Sequence, residues 1–303
     1  MRTGLHLMLC LILVGPFLRA ESIPELQTQQ ITVGLMRSSF NRVNENDAKA
    51  AINALTGEIG RKLGYQITTR IEAFDSQADY AAALRAGQIQ IVLASFWDLL
   101  VMDQVDKVDI AYTTMVGGRT DAAWLLLARE GTTASVAALQ AKSVLVVHNS
   151  SEHLGIPWMG TLLREQNLGA PDHFFQSFQT VPKASAAILP VFFGKADACI
   201  VDEVSLAVMS ALNPQIARRL VVVARSEPLA NAVVGLVPSH WPSRQLYDDV
   251  RRQFGLLEDA PAGRQLLLLF NYDRLVPYEP AQMENLRTLF RRFQRLKAGE
   301  QAS

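Results

Sequence analysis

The sequence predicts an α/β protein whose sheets are mostly parallel, and three observations carry that prediction. Short β-branched runs alternate with amphipathic helices from about residue 31 to 240. One helix–glycine–strand–helix pattern occurs twice, as AAALRAGQIQIVLASFWDLLV (81–101) and ASAAILPVFFGKADACIVDEVSLAV (184–208). The chain has 303 residues, 49% of them hydrophobic, which is enough to bury a sizeable core, as one large domain or two lobes, rather than a disordered chain.

The elements follow in order. ITVGLMRSSF (31–40) is a strand running into a polar loop. DAKAAINALTGEIGRKLGY (47–65) places Ala51, Leu55, Ile59 and Leu63 four apart and stops at Gly64, the signature of an amphipathic helix with a glycine end. QITTRIEAF (66–74) alternates like a strand, residues 76–88 form an alanine-rich helix, and IQIVLASF (89–96) is a buried strand. AAWLLLAR (122–129) and SVLVVH (143–148) are strands around a short helix at 135–140. Helix 156–169 follows, then an extended run at 172–181, helix 184–195 and strand 196–202. Residues 217–226 and 231–239 are further strands, and the chain from Ser243 is mostly helical.

Met1–Ala20 has a positive start at Arg2, an apolar stretch from Leu5 to Leu18 and a small residue at the end. That is a secretory leader, too short for a membrane span, although retention as an uncleaved anchor remains open. Formal charge is zero. Without Arg2 and Arg19, 27 basic residues face 29 acidic ones, so no basic field for nucleic acid exists. Cys199 is the one cysteine beyond the leader, so no internal disulfide forms, and it reads as a small buried residue.

In open α/β sheets ligands sit beyond the carboxyl ends of the strands. The residues there are Leu35–Ser39, Ser95–Asp98, His148–His153 and Val201–Glu203. Arg37 offers a fork for an anion, and Phe96-Trp97 an aromatic pair for stacking a small organic ligand. Ser150 and Ser151 open a helix, where they cap its backbone N–H groups and offer hydroxyls to a ligand. Glu152 and His153 follow in its first turn. His148, Glu152 and His153 lack conventional zinc spacing. No Gly-x-Ser-x-Gly elbow, dinucleotide fingerprint or phosphate loop occurs, so no catalytic residue, cofactor or metal is assigned. The last helix carries Leu286, Leu289, Phe290, Phe293 and Leu296 on one stripe, as a packed surface helix does.

In order and spacing, ITVGL, YAAALRAGQIQIVLASF, VHNSSEHLGIP and FFGKADACIVD resemble the phosphonate-type periplasmic substrate-binding proteins of ABC importers over roughly residues 30–280. The resemblance implies a two-lobed, type II periplasmic-binding-protein fold, each lobe a mixed, mostly parallel sheet flanked by helices. Lobe 1 would comprise 28–115 plus 228–303 and lobe 2 116–227, with hinge strands near Thr113–Trp124 and Ala224–Val234. It implies a periplasmic monomer, not an enzyme, that holds a small-molecule ligand between its lobes and meets an inner-membrane ABC permease or a sensor protein; an enzyme built on the same fold is the alternative from another class. The implied ligand set is Arg37, Ser38, Phe96, Trp97, Ser150, Ser151, Glu152, His153, Lys183 and Asp202. Two departures bear on the ligand. Glu152 stands where the family has a third loop hydroxyl, and Ala184, beside Lys183, where it has a histidine. A carboxylate about 4 Å from a phosphonate charge costs about 4 kcal/mol at an effective dielectric near 20, which argues against a dianionic phosphonate.

Overall fold

The computed structural model describes residues 27–40, 43–131, 135–148, 153–230 and 232–301; the leader expected at 1–20 lies outside them. Thirteen strands occur among the described residues: β1 (Gln27–Met36), β2 (Tyr65–Phe74), β3 (Ile91–Ser95), β4 (Asp109–Met115), β5 (Asp121–Ala122), β6 (Trp124–Arg129), β7 (Ser143–Val147), β8 (Ser177–Val181), β9 (Ala198–Asp202), β10 (Leu220–Arg225), β11 (Leu229–Ala230), β12 (Ala232–Leu236) and β13 (Arg274–Pro277). They form a six-stranded sheet in the order β13-β4-β12-β3-β1-β2, a five-stranded sheet in the order β10-β6-β9-β7-β8, and a two-stranded link β11-β5.

The two large sheets share one plan. In the first, β1 pairs parallel with β2 and β3, and β12 lies antiparallel between β3 and β4. In the second, β7 pairs parallel with β8 and β9, and β6 lies antiparallel between β9 and β10. Each antiparallel insert is the strand that has just crossed from the other lobe. The α/β class and two-sheet architecture hold, with this refinement: the parallel pairings are confined to one half of each sheet. β13, which the reading of a helical end beyond Ser243 missed, is a four-residue edge strand ending in proline, too short to alternate legibly.

Local signals account for most elements. Asn44 caps helix Glu45–Leu63 by accepting from the Asn46 and Asp47 amides, and Gly64 ends it at φ 79°. Ala51, Ile52, Leu55 and Ile59 turn its apolar face to the first sheet. The duplicated glycines have a shared cause. Gly87 (φ 73°) and Gly194 (φ 74°) reverse the chain in the left-handed region before the buried strands β3 and β9. Residues 172–174, read as the start of an extended run, and 217–219, read as the start of a strand, belong instead to short helices Pro171–Phe174 and Pro214–Arg219. Each begins with a proline at its first position, where the missing N–H costs nothing.

Three segments join the lobes. The crossovers between β4 and β6 and between β10 and β12 pair through β5 and β11, with Asp121 opposite Ala230 and Ala122 opposite Leu229. The Trp124 amide donates to Ser226 Oγ at 2.8 Å, and the Ser226 amide to the Trp124 carbonyl at 2.9 Å. The third is helix Glu284–Gln301, which packs on helix Gly155–Glu165 of the second lobe and on helix Phe96–Val101 of the first. Leu286 and Leu289 are buried beneath it, as its apolar stripe predicts, and Arg292 Nε reaches Glu165 Oε1 at 2.6 Å.

Candidate functional site

A cavity of about 450 Å³ lies between the lobes, in the size range of small-molecule sites. The second lobe contributes Lys183, Asp202 and Ser205, the first lobe Phe270, Asn271 and Tyr272, and the crossovers form its back.

Asp202 is a nearly buried acid on the wall of this cavity. It ends β9 and is 8% exposed. Its Oδ1 accepts from the Ser205 amide at 2.8 Å, capping helix Glu203–Leu212. Its Oδ2 is buried and makes no hydrogen bond among the described residues. An unpaired buried acceptor costs about 1–3 kcal/mol, a cost that a bound cation or donor removes. Lys183 stands exposed before helix Ala184–Phe192 and adds a positive charge at the rim.

The neighbouring Glu203 faces the crossovers instead. It accepts from the Ala123 amide at 3.0 Å, pairs with Arg225 and lies 4.0 Å from Arg119. Burial by itself would raise its pKa, but the amide and the arginines outweigh burial and hold the carboxyl below its usual value. Adjacent acids thus divide between the cavity and the hinge.

On the first lobe, Ser95 ends β3. Its hydroxyl donates to Asp98 Oδ2 at 2.6 Å and accepts from the Asp98 amide at 3.0 Å, while Gln77 Nε2 donates to Asp98 Oδ1 at 2.6 Å. His153 reaches across from the second lobe, with Nε2 3.1 Å from Ser95 Oγ. The single hydroxyl proton is committed to the carboxylate, so this network assigns the proton of that contact to His153 Nε2. The His148 ring lies 6.4 Å from that of His153. Partial burial, then the nearby His153, holds His148 below the ordinary imidazole value, against a weaker opposing pull from Asp98.

Of the residues expected from sequence, Lys183 and Asp202 line the cavity and His153 bridges the lobes. Ser150, Ser151 and Glu152 lie outside the described residues. Four others are placed otherwise. Phe96 is fully buried, its ring facing Tyr278 at 6.5 Å and lying under Arg287, whose guanidinium carbon is 4.9 Å from the ring centre. Trp97 packs edge-on against Phe290 and Phe293 at 5.3 and 5.5 Å. The aromatic pair holds the last helix, and no ring face is left for a ligand. Arg37 is held by Asp75 at 2.7 Å and Glu45 at 3.2 Å, and donates to the Ala73 carbonyl, so its fork is already filled; these acids raise its pKa. Neither Arg37 nor Ser38 lines the cavity. Phe270-Asn271-Tyr272 was missed by the sequence reading, though Asn271, at φ 56° just past a leucine-rich helix, is a helix-stop signal.

Among the described residues no group of three or more His, Cys, Asp or Glu side chains converges as for a metal, and no helix is long and apolar enough to cross a membrane. Cys199 is buried, and burial pushes its thiol pKa up.

Solved structures share the fold. XAC2383 from Xanthomonas citri, bound to ATP, aligns with a TM-score of 0.66 at 16% identity, covering 89% of this chain and 98% of that one. A binding protein component of an ABC phosphonate transporter from Pseudomonas aeruginosa (PA3383) aligns at 0.61 and 14% identity, covering 91% and 89%. PhnD1 from Prochlorococcus marinus, in complex with methylphosphonate, aligns at 0.58 and 12% identity, covering 88% and 98%. No curated protein matches the chain. Residues 40–283 match the family described as ABC transporter, phosphonate, periplasmic substrate-binding protein. With two sheets hinged around a cavity and that match over most of its length, the chain belongs to the phosphonate-type periplasmic substrate-binding proteins of ABC transporters, and its role is to bind a solute.

Proposed function

We propose that this protein, exported by its leader and acting as a monomer, captures a small solute carrying a cationic group and hands it to an inner-membrane ABC permease. The observation that carries the reading is the buried, unpaired Asp202 Oδ2 at the wall of the cavity. The solute's cation pairs with Asp202; Lys183, Ser150 and Ser151 receive a polar or singly anionic part, and Glu152 disfavours a bare dianion. Closure turns on the crossovers held by Glu203, and the permease reads the closed form. Methylphosphonate and ATP, bound by two of the structural relatives, carry no cationic amine and serve as contrasting probes.

The test is a thermal-shift and calorimetric screen of amines, amino acids, aminoalkylphosphonates, methylphosphonate and ATP. Amine-bearing solutes should raise Tm, and Asp202→Asn should abolish the rise with the fold intact. Preference for methylphosphonate, unaffected by Asp202→Asn, would overturn the cationic reading. Ser151→Ala with Glu152→Ala tests the loop, and unchanged shifts would remove it from the site.

A further inference from the structure

A second cavity, of about 100 Å³, opens inside the first lobe and is lined almost wholly by apolar side chains. It lies on the sheet face covered by helices Glu45–Leu63 and Pro261–Leu269. Apolar packing on this face divides into two clusters, one around Val33, Ile52 and Phe254 and one around Leu35 and Phe40, with Leu93 of β3 touching both. The cavity sits where these clusters fail to merge. Folded interiors are close-packed, and an apolar cavity left in one takes up apolar guests.

Its position gives it a use. Phe270 and Tyr272 line both this chamber and the interlobe cavity, so the two adjoin. Polar side chains in the chamber lining include Ser39, Ser95, Asp98 and Thr114, at or just beyond the ends of β1, β3 and β4, and Thr56, whose hydroxyl is held by the Ile52 carbonyl of its own helix. Phe270 and Tyr272 thus stand between the chamber and the cavity that Asp202 lines.

We propose that the solute is a small amphiphile, a cationic head with a short alkyl or similarly apolar tail, and that the lobe-1 chamber receives the tail. The inference rests on the cationic-solute reading above. A cavity of about 150 Å³ holds a benzene ring, so this one, at about 100 Å³, takes a tail of about four carbons.

Calorimetry with primary n-alkylamines from methyl to octyl tests it. Affinity should rise about fourfold per added methylene through about four carbons, then level or fall. Leu93→Phe should shorten the preferred tail and Leu93→Ala lengthen it; opposite shifts from one position would not follow from a general loss of fold. Affinity that is flat with chain length overturns the chamber. If short amines still bind and lose binding in Asp202→Asn, the cleft reading survives that result. Xenon pressurised into crystals needs no head group: density between Leu93 and Phe270 is expected, and its absence overturns the proposal even if no alkylamine binds.

Discussion

The corners after β3 and β9 begin alike and end differently. Each closes a buried strand with a capping side chain, Ser95 on the Asp98 amide and Asp202 on the Ser205 amide, and each starts a helix. At the first corner the helix buries Phe96, Trp97, Asp98 and Leu99, and its acid turns back onto the cap. At the second no residue of helix Glu203–Leu212 is buried, and the acid keeps one oxygen unpaired beside the cavity. The same local turn makes a structural joint when a distant helix covers it and part of a cavity wall when none does.

The largest effect that sharpens this contrast is expected at the covered corner. Trp97→Ala removes the ring wedged against Phe290 and Phe293 and should cost about 3–5 kcal/mol in urea denaturation. Val208→Ala, on the exposed helix of the other corner, should stay within about 0.5 kcal/mol. An equal cost at both would erase the distinction.

The caps come next. Ser95→Ala removes a helix cap and a partner of the buried Asp98, and should lower stability by about 1–2 kcal/mol. Asp202→Asn keeps a capping oxygen, so stability should change little while affinity for an amine probe falls about tenfold or more. A large loss of stability in Asp202→Asn would make this corner structural as well.

Smaller still is the hinge contact. Arg225→Ala removes an exposed partner of Glu203 and should cost at most about 1 kcal/mol, diminishing with added salt. The last change is read in pH at the interlobe edge. His148 is held below its ordinary value of 6.5, so the unfolded chain takes up the proton first as pH falls. Stability associated with neutral His148 is present above about pH 6.5 and lost below it. His148→Gln should flatten that part of a Tm–pH curve, and an unchanged slope would assign it to other groups.

Much of the architecture was legible because its causes lie within a few residues. The spacing of Ala51, Leu55 and Ile59 marked a helix face, and the repeated glycine before a buried strand marked two equivalent units. The site was legible only in part. Asp202, singled out by the rule that strand ends in α/β sheets face ligands, and Lys183, by its place in the family pattern, both line the interlobe cavity. The same rule pointed at Arg37, Phe96 and Trp97, where it fails because partners distant in sequence occupy them. Asp75 takes the arginine, and Tyr278, Phe290 and Phe293 take the rings.

By itself the sequence determined the order of strands and helices, their caps and stops, and the pairing of two similar halves, since propensity, periodicity and turn chemistry act over single turns and strands. Only the tertiary structure decided which strand ends stay open to a ligand, because that depends on what the rest of the chain lays over them. The helix at Glu284–Gln301 closes the corner at Phe96-Trp97, and the turn at Phe270–Tyr272 completes the cavity facing Asp202. Burial is a property of surfaces brought together across the fold, and no local pattern carries it.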